Sequence, residues 1–238
     1  MSNMGDDSGK ILVWDAPVRV FHWLLVLSFA GAFLTAESER WRLAHVSLGY
    51  TVGGLVAFRI LWGLLGTRYA RFGSFVRGPR VVARYARALL AGKPEHHVGH
   101  NPAGAVGIVL LLLLSLAVVA TGWANYSELG GKLIEELHEV AGNFMLTVVI
   151  VHVAAALVMS WIHRENLVRS MVTGKRTGLP EQAIKRPWRP VALIIVVTVM
   201  GFWWVQWLGA PEAAGIVASA NIPKHGEHAN HRHDDGYD

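Results

Sequence analysis

Residues 136–162 read ELHEVAGNFMLTVVIVHVAAALVMSWI, and this stretch decides the fold. From Val140 to Ile162 it carries no Asp, Glu, Lys or Arg. At about 1.5 Å per residue, a helix of that length crosses the roughly 30 Å hydrocarbon layer of a bilayer. It also carries His152 in mid-span and His138 at its mouth. An ionisable side chain inside a span is costly and points to function. Four other stretches have the same character: Phe21–Ala36, Leu43–Leu65 with Arg59 as its one charge, Ala103–Ser127 and Val191–Ala210. Leu110–Leu114 and its neighbours lack any polar face, which argues against a buried helix of a soluble bundle. The chain is 53% hydrophobic and 16% charged, against about 25% charged in soluble domains. The expected fold is an all-α membrane protein, a four-helix transmembrane bundle plus a fifth transmembrane helix.

Charge sets the orientation. Thr67–Pro102 holds Arg68, Arg71, Arg77, Arg80, Arg84, Arg87 and Lys93 against a single acid, Glu95. His163–Pro190 holds Arg164, Arg169, Lys175, Arg176, Lys185, Arg186 and Arg189. The other two connections are short and more acidic. The positive-inside rule puts the basic loops in the cytoplasm. The expected organisation is a cytoplasmic segment 1–16, a four-helix core 17–162 with its loop 67–102, a basic cytoplasmic loop 163–190, a fifth span 191–210 and an extracytoplasmic His-rich tail 211–238. Seven tryptophans, from Trp23 to Trp207, fall near span ends as an aromatic belt does. The net charge of +5 then reflects topology and anionic lipid, with no nucleic-acid partner expected. Asp6 and Asp7 precede the first span, unlike the positive leader of a cleaved signal peptide. There is no cysteine, so disulfides, iron–sulfur clusters, thiolate ligation and covalent c-type haem attachment are excluded.

The histidines then fall into levels. His22 opens the first span from the inside, and His45 opens the second from the outside. His138 opens the fourth span from the outside. His152 follows 14 residues later, about 21 Å deeper and within about 40° of the same helical face. His22 and His152 therefore share an inner level, and His45 and His138 an outer one. Two pairs of neutral imidazoles match bis-histidine ligation of two haem irons, in the core of a bundle where such sites are built. Taken singly, a histidine near a span end is as readily a satisfied interfacial side chain. A di-iron carboxylate site would need a second Glu-x-x-His pair beside Glu135 and His138, and no other span supplies one. Gly49, Gly53 and Gly54 let a macrocycle approach the second helix. Arg59, 14 residues after His45, and Arg19, one turn before His22, suit haem propionates, or else snorkel to the interface.

Several of these motifs resemble one family. Val13-Trp14-Asp15-Ala16-Pro17-Val18-Arg19-Val20-Phe21-His22-Trp23 is similar to the start of bacterial cytochrome b561-type proteins and of hydrogenase b-type cytochrome subunits. So are Ala44–Tyr50, Phe58–Gly63, and the His138…His152 pattern followed by His163-Arg164-Glu165-Asn166-Leu167-Val168. The resemblance covers roughly residues 11–176. It implies a four-helix core with two b haems on His22, His45, His138 and His152. It also implies electron transfer between the quinone pool and a partner redox protein in a bacterial inner membrane. The short connection between the first two spans resembles stand-alone cytochromes more than hydrogenase subunits. The fifth span has no histidine, and support or docking is expected of it.

The acidic outer residues Glu128, Glu135, Glu136 and Glu139 suit a basic partner such as a c-type cytochrome. Three other readings compete: a membrane anchor of a hydrogenase or dehydrogenase, a quinone-coupled enzyme acting on a small molecule such as superoxide, and a haem-free transporter. His100-Asn101-Pro102 opens the third span, with Asn101 or His100 as its cap, Pro102 in the first turn, and His100 as a further candidate for proton relay or quinone contact. The tail around His225–His233 has the composition of a Cu, Ni or Zn binder.

Overall fold

The computed structural model describes residues 9–93, 95 and 97–220, with side chains as far as residue 209. The His-rich stretch from residue 221 on lies outside the described residues. In chain order the elements are β1 (Gly9–Leu12), α1 (Ala16–Thr35), α2 (Arg42–Leu65), α3 (Phe72–Phe75), α4 (Pro79–Leu90) and α5 (Pro102–Tyr126). There follow α6 (Gly131–Ile162), α7 (Leu167–Thr173), β2 (Lys175–Gly178) and α8 (Arg189–Ala220). Among the described residues five helices are long and apolar enough to span a membrane, as the sequence leads one to expect.

Their starts are encoded locally. Asp15 Oδ1 accepts from the Val18 N–H and caps α1, with Pro17 in the first turn. Asn101 Oδ1 does the same for α5 through Gly104 N–H, with Pro102 next. Asn101, and not His100, is therefore the cap, which leaves the imidazole for other work.

The spans form an open ring. α1 packs along α2, α2 along α5, and α5 along α6. On the fourth side α6 meets α1 and α2 with little close backbone contact among the described residues, and the four histidines face that side. α8 packs outside the ring on α1 and α2. Its Trp203 Nε1 donates to Thr51 Oγ1 at 2.9 Å, and Ile195 and Val199 join the core of Phe21, Val52, Leu55, Val56 and Leu112. The fifth helix is thus part of the core and not only a lipid-facing support. It also outruns the expected 191–210, because hydropathy marks where a chain leaves hydrocarbon and not where its hydrogen-bond ladder stops. Large side chains such as Leu34, Leu65 and Trp207 are exposed, the pattern of a surface solvated by lipid.

The two basic loops are folded, contrary to a reading of them as plain connections. β1 pairs antiparallel with β2, Gly9 opposite Gly178 and Leu12 opposite Lys175. Ile11, Val13 and Trp14 pack there against Tyr69, Val98, Met171 and Ala183. The resulting cap closes one end of the bundle. Arg176 and Glu165 form its buried ion pair at 2.8 Å, their side chains 7% and 9% exposed. Arg176 Nη1 also donates to the carbonyls of Val98 and Gly99.

Candidate functional site

The structure brings the histidines together in the pairs that depth alone suggests. At the level far from the cap, the rings of His45 and His138 lie 6.1 Å apart between centroids, at 89° to each other. Two imidazole nitrogens at about 2 Å from one metal ion place ring centroids about 6 Å apart, so the spacing fits one iron between them. The hydrogen bonds fit too. His45 Nδ1 lies 2.8 Å from the Ala32 carbonyl, and His138 Nδ1 lies 3.1 Å from that of Val118. A carbonyl only accepts, so each Nδ1 carries the proton and each Nε2 keeps its lone pair for a metal. Such outer bonds fix the tautomer and aim of ligating histidines. Thr121 Oγ1 lies a further 3.1 Å from His138 Nδ1.

Two glycines complete this level. Gly49 follows His45, and Gly142 follows His138, each four residues on and so on the same helical face. A Cβ at either position would touch nothing within 4 Å, which leaves room for a flat ligand beside both histidines. Gly54 is similarly open, whereas Gly53 packs on Val119 of α5. Gly122 serves the histidine directly, since a Cβ there would lie 2.8 Å from His138 Cε1.

The level near the cap is built differently. His22 and His152 lie within electrostatic reach of each other across the open side. Six buried side-chain polar atoms lack a hydrogen-bond partner among the described residues, and four belong here: Arg19 Nε, His22 Nδ1, Arg59 Nη1 and His100 Nδ1. Unpartnered buried polar atoms are rare in folded proteins. Four in one place are what an anionic cofactor edge would satisfy. Arg59 is only 3% exposed and stacks its guanidinium 4.9 Å over Phe72. Arg19 commits one arm to the cap, donating from Nη1 to the Val172 carbonyl at 2.6 Å.

Asp15 ties α1 to α2 beneath Arg59. Its Oδ2 accepts from Trp62 Nε1 at 3.0 Å and Thr67 Oγ1 at 2.6 Å, beyond its cap bond from Oδ1. Sequence reasoning missed Asp15 as a structural anchor, and it missed Thr121, Gly122 and Gly142. The last had a readable signal, a His-x-x-x-Gly spacing repeated at His45 and His138. Among the described residues no cluster of three or more His, Cys, Asp or Glu forms a bare metal site.

The chain has relatives among known proteins. The probable Ni/Fe-hydrogenase B-type cytochrome subunit of Rhodobacter capsulatus is 23% identical, over 71% of this chain and 82% of that protein. That of Cupriavidus necator is 27% identical, over 71% of this chain and 90% of its own length. The probable Ni/Fe-hydrogenase 1 B-type cytochrome subunit of Escherichia coli K12 is 29% identical, over 54% and 65%. No solved structure matches. The prokaryotic cytochrome b561 family matches residues 13–174, a stretch that holds all four histidines, Arg19 and Arg59. The chain belongs to that family and is a multi-pass membrane b-type cytochrome of electron transfer.

Proposed function

We propose that this cytochrome carries two b haems, stacked across a bacterial inner membrane, and connects the quinone pool to a partner redox protein. The observation that carries the reading is the paired levels of histidines, with the outer rings at the spacing of two axial ligands. Haem b, when bound, supplies a reversible one-electron couple. His45 and His138 would hold the outer haem through Nε2, aimed by the Ala32 and Val118 carbonyls. His22 and His152 would hold the inner one. Arg59, and less directly Arg19, would offset propionate charge by charge-assisted hydrogen bonds. The basic cap faces the cytoplasm and the C-terminus the periplasm.

The names of the relatives favour a metalloenzyme of the hydrogenase type as partner. A c-type cytochrome is the second reading, supported by the exposed Glu128, Glu135, Glu136 and Glu139 at the outer end. Among the described residues a weak surface pair, Lys132 to Glu136 at 3.7 Å, is what competes for that charge. The test is the reduced-minus-oxidised spectrum of the full-length protein in detergent, with extracted haem counted per chain. Two low-spin b haems that a short-chain quinol reduces are expected. A chain that binds no haem under ample supply would falsify the proposal. Charge reversal at Glu135 and Glu139 separates the partners, since only docking of a basic cytochrome slows with it.

A further inference from the structure

Arg59 and His100 stand on one aromatic wedge. α3 supplies both of its rings, Phe72 under Arg59 at 4.9 Å and Phe75 against His100 at 4.6 Å, with the two phenyl rings 5.9 Å apart. Trp14 closes the other side of His100 at 4.5 Å. Arg176 grips the carbonyls of Val98 and Gly99, the two residues before His100. Three parts of the chain, distant in sequence, thus fix one imidazole. Yet among the described residues its Nδ1 is buried with no partner, as is Nη1 of Arg59, whose charge it feels. His152 lies within electrostatic reach of the same imidazole.

The charge balance says what belongs there. The buried guanidinium of Arg59 has Asp15 as its nearest compensating charge, but both Asp15 oxygens already accept hydrogen bonds from Val18, Trp62 and Thr67. An unpaired buried charge is expensive. A neutral carbonyl, as on a quinone, would satisfy a hydrogen bond and leave the charge. A carboxylate satisfies both. Burial foremost, then the charges of Arg59 and Arg176 and the nearby His152, push His100 down to about 3. With no occupant its imidazole is therefore neutral, a donor that adds no second positive charge.

We infer that Arg59 Nη1 and His100 Nδ1 form a two-pronged carboxylate site whose occupant is a propionate of the inner haem, with His100 a positioning residue that tunes that haem. The inference rests on the di-haem reading and deepens it. A neutral donor on the propionate spreads its negative charge and so favours the reduced iron. Losing the donor should favour the ferric form.

The experiment compares full-length wild type with His100→Leu and His100→Gln. It uses haem counting, spectropotentiometry and redox-induced infrared difference spectra with haem labelled at the propionate carbons. For His100→Leu we expect both haems retained and one potential lowered by about a tenfold change in the ferrous-to-ferric ratio, which is about 59 mV for one electron. The labelled carboxylate bands should shift with it, and His100→Gln, which keeps a donor, should restore both. Bands and potential unchanged in His100→Leu overturn the inference. So does a shifted potential with unmoved labelled bands, the sign of a free carboxylate or other anion at the site. If His100→Leu loses the inner haem, His100→Gln decides, and bands displaced from wild type despite its donor overturn the role. A wild type without an inner haem sinks the di-haem reading itself, and that is seen before any variant is compared.

Discussion

The two levels of histidines are built by opposite means. At the outer level, helix backbones do the work: the Ala32 and Val118 carbonyls aim His45 and His138, and Gly49 and Gly142 clear the space beside them. At the inner level, His22 has no such partner for Nδ1, and Arg59 and His100 are set by the cap. The lesson is that a bundle can preset a ligand pair from within, or borrow the rigidity of a folded loop. The first should be robust to changes in the cap, and the second should not.

The largest expected effect breaks the pairs apart. If two haems are held as proposed, His138→Ala should remove the outer haem and leave the inner, dropping haem per chain from two to one, and His22→Ala should do the converse. Pyridine haemochrome quantification with paired potentials checks it. Simultaneous loss of both haems from either variant would abolish the distinction between the levels.

A smaller effect comes from adding single methyl groups, which cost about 1–3 kcal/mol in a packed site. Gly122→Ala places Cβ 2.8 Å from His138 Cε1 and should weaken haem retention at the outer level alone. Gly63→Ala pushes on the Phe72 ring, beneath Arg59, and should shift the inner potential alone. Thermal unfolding with two-haem potentiometry would show whether the effects stay on their own levels.

The smallest effect is on pH. Burial works to raise Glu165, but hydrogen bonds from Thr177 N–H and Arg176, and the charges of Arg176 and Lys10, outweigh it and hold the carboxyl below its usual value of 4.5. A lowered carboxylate adds stability that is complete above the unfolded value and lost as pH falls through the folded one. Hydrogen-exchange protection factors across β1 and β2, corrected for the intrinsic pH dependence of exchange, should thus hold down to about pH 4.5 and fall below it. Amides around His45 and His138 should not follow that curve. If they do, the two ends of the bundle are coupled and the contrast is weaker than stated.

Much of the bundle is legible in the sequence because depth in a membrane is nearly one-dimensional. Apolar length locates the spans, and the 14-residue step from His138 to His152 puts both on one face. The cap is illegible for the opposite reason. Its strands are four residues each, too short to show alternation, and its ion pair joins residues 165 and 176 to carbonyls at 98 and 99. Nothing in the stretch Val98-Gly99-His100 announces that Trp14 and Phe75 will enclose it. The place of α8 on α1 and α2 is hidden likewise, since a span apolar all round gives no preferred face.

The β1–β2 clasp has a consequence for the order of assembly. Lys10 reaches Thr177, 167 residues later, across this ribbon. During synthesis the first strand must wait until four spans have been made before its partner exists. The hold of Ser170 and Gly174 on Trp14 is thus completed late, after the outer histidines can already have met through α2 and α6. The clasp also brackets residues 13–174, the part shared with the family. It ties off that unit like a drawstring before α8 is added.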